Sequence, residues 1–155
     1  MSDIIDSFTG ENDFLSNFSP VVIQYEDFIY SSLEHAYQAA KTIIITEREL
    51  IHEAPTPGKA KRLGKTVTLR SNWEKIKLEV MEKLLRQKFQ IPLLERKLTM
   101  TYPCELIEGN NWNDTYWGVC KGTGKNHLGK LLMKIREEKV LAQRIKNAAE
   151  KKRAE

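Results

Sequence analysis

The sequence predicts a single domain of the α+β class, predominantly helical and with a few short strands. The chain has 155 residues, of which 41% are hydrophobic, and this length and composition suit one buried core. Apolar residues recur three and four positions apart over most of the chain, as in amphipathic helices, whereas the alternation typical of strands is clear only near the N-terminus. No internal repeat or low-complexity linker divides the sequence.

The N-terminal segments predict the strands. A first extended segment is expected at "IIDSF" (4–8), followed by a loop at "TGENDFLSNFSP" (9–20). The stretch "VVIQYEDFIY" (21–30) alternates in polarity and carries the pair Glu26–Asp27 at its centre. This pattern is typical of a β-hairpin.

A first helix is predicted to follow the hairpin. Ser31 and Glu34 have the spacing of a capping box, in which each side chain bonds a free backbone N–H group. Leu33, Tyr37, Ala40 and Ile44 then recur at helical spacing and predict the buried stripe of this helix.

Two further helices are predicted in the middle of the chain. One begins with Thr56 as its N-cap and Pro57 at its first helical position. The next begins at a second candidate capping box, Ser71 and Glu74. Its buried stripe is predicted to consist of Trp73, Ile76, Val80 and Leu84.

The C-terminal third is predicted to contain a short helix at "IPLLERKLTMT", a strand at "CELIEG" and a long amphipathic helix from "NHLGKLL" onward. The inward residues of the last helix are predicted to be Leu128, Leu131, Leu132 and Ile135. Residues 140–155 form a basic helical extension in this interpretation, and residues 1–139 form the domain.

Composition narrows the class of function. The net charge of +4 is concentrated in "RIKNAAEKKRAE" (144–155), and an excess this small does not establish nucleic-acid binding. The apolar run at 43–45 is too short to cross a bilayer, and the acidic N-terminal stretch lacks a signal-peptide pattern. Cys104 and Cys120 suit neither a zinc set nor a disulfide framework. We therefore expect a cytoplasmic protein without a membrane partner.

The stretch "SSLEHAYQAAKT" (31–42) carries the first candidate site. Residues three and four apart share a helix face, so Glu34, Gln38 and Lys41 are predicted to lie along one side. Taken alone, the segment favours an ordinary interpretation, with Glu34 as a cap and Lys41 on the surface. His35 has no partner at metal-ligand spacing.

A second candidate lies in "GNNWNDTYWGVCKGTGKNHLGK" (109–130). Its amides and carboxylate favour a polar loop, but Trp112 and Trp117 are costly to expose and suit a flat ligand. Gly122, Gly124 and Lys125 precede a helix, where backbone N–H groups can hold phosphate. Their spacing differs from that of a P-loop, so an ordinary loop-to-helix junction is favoured there.

A third candidate is the loop "DFLSNFSP" (13–20). It is either a turn anchored in the core by Phe14 and Phe18, or a binding loop that presents Asn17 to a ligand.

Together these segments resemble the NADAR superfamily, whose members are also called YbiA-like. The matching segments occur in family order and cover nearly all of residues 14–138. They are "FLSNFSP" (14–20), "EHAYQAAK" (34–41), "TPGKAKRLGK" (56–65), "NWEKIKLEVM" (72–81), "NDTYWG" (113–118) and "GKNHLGKLLMKIREE" (124–138). One departure is Leu33, where the family often has Ser before the Glu-His pair, so a polar contact from position 33 is not expected.

The resemblance implies an N-glycosidase that cleaves the bond between ribose C1 and an amine nitrogen. One implied substrate is a small molecule, a ribosylaminopyrimidine phosphate of riboflavin biosynthesis. The other is ADP-ribose on guanine, either in a small nucleotide or in nucleic acid. The resemblance implies catalytic roles for Glu34, Lys41 and Asp114. It implies ligand roles for Trp117, Asn17 and Phe18, and we expect further substrate-binding residues at His35, Gln38, Gly118, Lys125 and Asn126. Neither a metal nor a redox cofactor is implied.

Two mechanisms remain open at this point. In one, Glu34 and Asp114 act as the paired carboxylates used in sugar cleavage. In the other, Lys41 forms a Schiff base, Glu34 transfers protons, Asp114 orients and Trp117 stacks on the base or ribose. The substrate phosphate is expected to meet Lys125, Asn126 or nearby basic residues such as Lys59 and Arg62.

Three other functions are also open. A non-catalytic ADP-ribose or nucleotide binder would use the same pocket without releasing base. A nucleic-acid binding protein would show a steep salt dependence. A helical interaction protein would leave the Trp-rich polar loop unexplained.

Overall fold

The computed structural model describes residues 3–155, which divide into two compact units. One unit comprises Asp13–Gln90, and the other joins the segment up to Asn12 to Ile91–Glu155. The strands are β1 Ile4–Ile5, β2 Pro20–Tyr25, β3 Phe28–Ser32, β4 Glu105–Leu106, β5 Gly109–Asn110 and β6 Val119–Cys120. The α-helices are α1 Leu33–Ala39, α2 Ile45–His52, α3 Pro57–Gly64, α4 Trp73–Lys88, α5 Pro92–Met100 and α6 His127–Ala154.

The predicted hairpin is confirmed as β2 and β3, which pair antiparallel with Ile23 opposite Tyr30. Glu26 and Asp27 form its two-residue turn, and Glu26 has a positive φ of 49°, as the tight turns of hairpins require. The predicted loop before β2 is wrong in part, because Gly10–Leu15 forms a 3₁₀ helix. Phe14 and Leu15 are buried there, so the segment is fixed by packing.

The predicted start and length of α1 need correction. Its N-cap is Ser32, whose hydroxyl accepts from the His35 N–H, whereas Ser31 is exposed. Ser32 is also the last residue of β3 and has the extended backbone that an N-cap requires. The helix ends at Ala39, so Ile44 does not belong to its stripe. All seven residues of α1 are buried, which is why a one-sided stripe describes it poorly.

Helix α2 was not predicted. It begins at Ile45, within the apolar run at 43–45, which has no helical periodicity. Its cap residue, Ile44, makes no side-chain capping bond in the described chain. Its buried face includes Arg48, whose Nε donates to the Thr42 carbonyl at 2.7 Å and whose Nη1 pairs with Glu26 at 2.6 Å. A buried arginine breaks the apolar pattern on which the prediction of a helix depends.

Helix α3 is confirmed with both of its predicted start signals. Thr56 accepts from the Lys59 N–H, and Pro57 is the first helical residue. Helix α4 is also confirmed, but the capping box of Ser71 and Glu74 is wrong. Asn72 occupies the cap position instead, and its side chain makes no capping bond in the described chain.

The buried stripes of α4 and α6 differ from the predicted ones at one position each. Ile76 and Leu131 are only half-buried, whereas Met81, Leu85 and Lys88 are buried on α4. The remaining members of both predicted stripes are buried as expected: Trp73, Val80, Leu84, Leu128, Leu132 and Ile135.

The second unit contains two small parallel pairings, β1 with β4 and β5 with β6. The strand predicted at "CELIEG" is therefore confirmed as β4, and the short helix as α5. Helix α6 contacts α5 and β4, and from Leu141 onward its residues are exposed. The α+β, predominantly helical class is confirmed. Among residues 3–155, none of the helices is long and apolar enough to cross a bilayer.

Candidate active site

The predicted face of α1 is buried rather than exposed. Glu34 and Gln38 are both buried, and the Gln38 side-chain amide donates to Glu34 Oε1 at 2.7 Å. Because they are four residues apart on one helix, the amide fixes the direction of the carboxylate. The ordinary interpretation of Glu34 as a helix cap is wrong, since Ser32 holds that position.

Lys41 is half-buried just beyond the end of α1. Burial, the largest effect, lowers the pKa of its amine, as do the charges of Lys61, Lys65 and Lys77, whereas the charge of Glu34 raises that pKa. Its Nζ lies 5.7 Å from the centroid of the Tyr37 ring. The amine is therefore partly removed from water and electrostatically coupled to the Glu34 carboxylate.

Asn17 joins the loop before β2 to the start of α1. Its backbone carbonyl accepts from the Glu34 N–H at 3.0 Å, and its side-chain amide donates to Met81 Sδ at 3.6 Å. Its Oδ1 and the Oε1 of Gln38 are buried, and neither has a hydrogen-bond partner among the residues that the structure describes. Buried acceptors without partners are unfavourable, so the two oxygens suit the donor groups of a ligand.

The position of Gln38 depends on Gly64, the last residue of α3. A Cβ atom at position 64 would collide with the Gln38 side chain, from its terminal oxygen inward. Gly64 is buried, so the absence of a side chain leaves room for Gln38 to reach Glu34.

His35 and Phe18 flank this cluster in different ways. Both ring nitrogens of His35 are engaged, Nδ1 with the Ser32 hydroxyl at 2.6 Å and Nε2 with the Ala54 carbonyl at 3.0 Å. These bonds hold His35 in the interior and anchor the start of α1. Phe18, in contrast, is 41% exposed, and Lys61 Nζ lies 6.0 Å from its ring centroid.

In the other unit, Asp114 organises a tight turn. Its Oδ1 accepts from the backbone N–H groups of Tyr116 and Trp117, at 3.1 and 2.9 Å. The Asn110 side chain in turn bonds both the N–H and the carbonyl of Asp114. The polar loop predicted from its amides is therefore present and bonds its own backbone.

Trp117 belongs to an aromatic cluster with Tyr116 and His127. The Tyr116 and Trp117 rings meet edge to face with their centroids 4.8 Å apart, and the Tyr116 and His127 ring centroids are 4.6 Å apart. Gly118 follows and is buried, and a Cβ atom there would collide with Glu108. Both residues have clear structural roles in this loop.

The start of α6 is a loop-to-helix junction, as the sequence favoured. The backbone N–H groups of Lys125, Asn126, His127 and Leu128 bond the carbonyls of residues 115, 118, 116 and 117. The Asn126 side chain bonds the Glu108 N–H and the Leu106 carbonyl, at 3.0 and 2.9 Å. These donors are engaged within the protein, whereas the Lys125 side chain is exposed.

The predicted site residues thus fall into two sets. Asn17, Phe18, Glu34, His35, Gln38 and Lys41 lie in the unit Asp13–Gln90, and Asp114, Trp117, Gly118, Lys125 and Asn126 lie in the other. Their convergence on one ribose stays a prediction. Within the described part of the chain, no cluster of three or more His, Cys, Asp or Glu residues could hold a metal ion.

Sequence reasoning missed two residues that support the first set, Gly64 and Met81. Both lie within segments that match the family, but their roles come from contacts with Gln38 and Asn17, far away in the chain. No local pattern signals such contacts.

Comparison with known proteins agrees with the resemblance. The NADAR domain matches residues 7–139. The N-glycosidase YbiA of Escherichia coli is 39% identical over 141 residues, which are 87% of this chain and 88% of that protein. The NMR structure of E. coli YbiA superposes with a TM-score of 0.78 at 37% identity, covering 92% of this chain and 89% of that one. The chloroplastic riboflavin biosynthesis protein PYRR of Zea mays is 35% identical over 142 residues, covering 79% of this chain and 23% of that protein.

The matched region contains the buried Glu34, the half-buried Lys41 and the Asp114 turn. Since the NADAR domain matches most of the chain and a relative above 30% identity is covered almost completely, family membership follows from sequence and fold together. The chain belongs to the NADAR family.

Proposed function

We propose that this protein is an N-glycosidase that hydrolyses the bond between ribose C1 and the nitrogen of a ribosylated amine. One observation carries the proposal: a buried carboxylate, Glu34, is coupled to a partly desolvated amine, Lys41, beside two buried acceptors without partners. The name N-glycosidase of the E. coli relative supports the same class of reaction.

The chemistry of the substrate explains why an amine is useful. A ribosylated amine is an aminal, so its ring can open when O4′ leaves C1 and takes a proton. The nitrogen lone pair then forms an imine with C1. A lysine amine can add to C1 of this imine, and the original amine leaves once it has been protonated. Water finally adds to C1 of the lysine Schiff base and releases the ribose aldehyde and the free lysine.

In this mechanism Lys41 is the nucleophile. It must be neutral to attack C1, and burial lowers the pKa of its amine and so increases the neutral fraction near neutral pH. Glu34 donates and accepts the protons that ring opening and amine departure require. The hydrogen bond from Gln38 keeps one Glu34 oxygen in a fixed direction.

The acceptors of Asn17 and Gln38 would bind the sugar. Ribose carries hydroxyl groups that donate hydrogen bonds, and a buried acceptor that gains a donor is relieved of a desolvation cost. The two oxygens without partners therefore favour a polyol over an apolar ligand.

The substrate is proposed to carry phosphate. Lys61, Lys65 and Lys77 lie close enough to Lys41 to lower the pKa of its amine, and the same positive field attracts an anionic ligand. A ribosylaminopyrimidine phosphate and ADP-ribosylated guanine both fit this description. The riboflavin biosynthesis protein of maize among the relatives supports testing the first. The roles implied for Asp114 and Trp117 stay predictions.

Borohydride trapping tests the lysine mechanism. The protein is incubated with each substrate and sodium borohydride, and the modified residue is located by mass spectrometry. We expect a reduced ribosyl adduct on Lys41, and no adduct with at least a ~100-fold loss of activity in Lys41→Ala. Normal turnover is expected in the control Lys83→Ala, since Lys83 is an exposed lysine on α4 that pairs with Glu79. Glu34→Gln is expected to lose activity without losing its fold.

Each alternative gives a different result. Full turnover in Lys41→Ala without any adduct would exclude the Schiff base and leave the two-carboxylate route. Tight binding of both substrates without release of base would identify a non-catalytic binder and overturn the proposed hydrolysis.

A further inference from the structure

Lys88, near the end of α4, is a fully buried lysine that the proposed mechanism does not use. Its Nζ donates to the Ser16 carbonyl at 2.8 Å and to the Ser19 hydroxyl at 3.0 Å. These two acceptors stand on either side of residues 17 and 18. The amine therefore binds both ends of the segment that contains Asn17.

The same helix holds this segment at a second point. Met81 and Lys88 are seven residues apart, about two helical turns, and so lie on the same face of α4. The Met81 sulfur accepts from the Asn17 amide at 3.6 Å. With its amide directed at α4, Asn17 leaves its Oδ1 as the buried oxygen without a partner in residues 3–155.

The segment is also connected to α1. The Asn17 carbonyl accepts from the Glu34 N–H at 3.0 Å. A displacement of residues 16–19 would therefore move both a proposed substrate-binding oxygen and the backbone of the proposed proton-transfer residue.

A lysine suits this position because one buried side chain has to reach two hydrogen-bond acceptors, the Ser16 carbonyl and the Ser19 hydroxyl. Burial disfavours its charged form, but a neutral amine still has two N–H groups and can make both bonds. An apolar residue would avoid the cost of burying an amine and would leave the Ser16 carbonyl without this donor.

We propose that Lys88 is a positioning residue, which holds residues 16–19 so that the Asn17 side-chain oxygen meets the substrate. This inference rests on the proposed function, because it assigns Asn17 to the binding of the ribosylated substrate.

The kinetic test compares two substitutions at neighbouring positions. Lys88→Met keeps an unbranched side chain that is one heavy atom shorter and removes both bonds to the segment. Gln87→Met is the matched control, since Gln87 also makes two bonds from α4, to the backbone of Gln24 at 2.6 and 2.8 Å. With the ribosylaminopyrimidine phosphate as substrate, we expect Lys88→Met to raise KM about tenfold with little change in kcat. Gln87→Met is expected to leave KM unchanged.

A double-mutant cycle distinguishes positioning from general destabilisation. If Lys88 acts through Asn17, the variant lacking both side chains, Lys88→Met with Asn17→Ala, loses no more kcat/KM than Asn17→Ala alone. Losses that multiply would show independent effects and would overturn the proposal.

A measurement without substrate keeps the inference separate from the proposed function. The side-chain amide signals of Asn17 in a ¹⁵N NMR spectrum are expected to move in Lys88→Met and to stay in place in Gln87→Met. Ser19→Ala removes one of the two Lys88 bonds, together with the bond from the Ser19 hydroxyl to the Ser16 carbonyl, and is expected to move these signals less than Lys88→Met. Unchanged signals in Lys88→Met and Ser19→Ala would overturn the inference even if hydrolysis is observed. If no hydrolysis is observed, the proposed function fails and these spectra still decide whether Lys88 holds the segment.

Discussion

Lys41 and Lys88 are two lysines with lowered pKa values in the same unit, and their neighbours give them different tasks. Lys41 is coupled to Glu34 and to three other lysines, so its protonation responds to a charged neighbourhood. Lys88 bonds a carbonyl and a hydroxyl, and burial lowers its pKa to about 7 against a weaker opposing effect of Asp13. We assign the first to chemistry and the second to positioning.

The substitution Lys65→Gln tests whether Lys41 reacts as the neutral amine. The positive charge of Lys65 lowers the pKa of Lys41, so removing that charge raises this pKa. The neutral fraction then appears at higher pH, and the ascending limb of the pH profile of kcat/KM should move to higher pH.

The control for this prediction is Lys83→Gln. Lys83 is an exposed lysine on α4 that pairs with Glu79, and its charge is not among the effects on the pKa of Lys41. The pH profile of kcat/KM in Lys83→Gln should match that of the unmodified protein. An ascending limb that stays in place in Lys65→Gln would show that the observed pKa belongs to a group other than Lys41.

At the residue scale, local spacing was enough to place Glu34 and Gln38 together, because neighbours on a helix are fixed by its geometry. Lys41 lies beyond Ala39, the last residue of α1, so helix spacing does not fix its position. Spacing could not show that this face is buried. Nor could it identify Lys88, whose partners lie about seventy residues earlier in the chain.

At the scale of elements, the close approach of α3 to α1 shapes the candidate site. The two helices contact each other, and Gly64 is the point at which Gln38 has room. At Gly58, on the same helix, an added Cβ atom would make only an ordinary van der Waals contact, with the Thr56 hydroxyl.

Two separate glycine-to-alanine variants, Gly64→Ala and Gly58→Ala, test this packing. Gly64→Ala should displace Gln38 from Glu34, lower kcat/KM and reduce the free energy of unfolding by about 1–3 kcal/mol. Gly58→Ala should be neutral, or stabilise by up to about 1 kcal/mol, because alanine favours a helix. Chemical denaturation and steady-state kinetics measure both effects. Equal activity in the two variants would contradict the role of Gln38.

Elements with clear boundary signals were predictable, as α3 shows with Thr56 and Pro57. The capping boxes failed because Ser31 and Ser71 each precede the true cap by one residue. A polar side chain close to a helix start does not reveal which residue is the cap: Ser32 has the extended backbone typical of an N-cap, whereas Asn72 does not. Helix α2 was missed because Arg48 occupies its buried face.

At the scale of the whole molecule, the buried Lys88 links stability to pH. Its native pKa is about 7 against an ordinary value of 10.5, so between these values the unfolded chain binds more protons. The free energy of unfolding should therefore rise with pH in this window, by at most about 1.4 kcal/mol per pH unit from this group.

Lys88→Met removes this contribution. Between pH 7 and 10.5, its free energy of unfolding should rise less steeply with pH than that of the unmodified protein, whereas Gln87→Met should keep the original slope. Denaturant titrations across this range provide the measurement. Identical slopes in all three proteins would show that Lys88 keeps a normal pKa in the folded chain.

The fold class was predictable because the periodicity of α4 and α6 and the alternation of the hairpin are strong signals over many residues. The division into two units was not, since the segment up to Asn12 joins residues from Ile91 onward. That grouping comes from pairings such as β1 with β4, which connect distant parts of the chain.

The turn around Asp114 has a practical meaning for anyone engineering this scaffold. The Asp114 carboxylate, the Asn110 amide and the closely packed Gly118 stabilise this turn through contacts within the loop. The motif "NDTYWG" in another protein therefore indicates a turn of this shape before it indicates a reaction. A related protein that kept this turn and exchanged Glu34 and Lys41 would be expected to retain the loop, and under the proposed mechanism it would lose the hydrolysis.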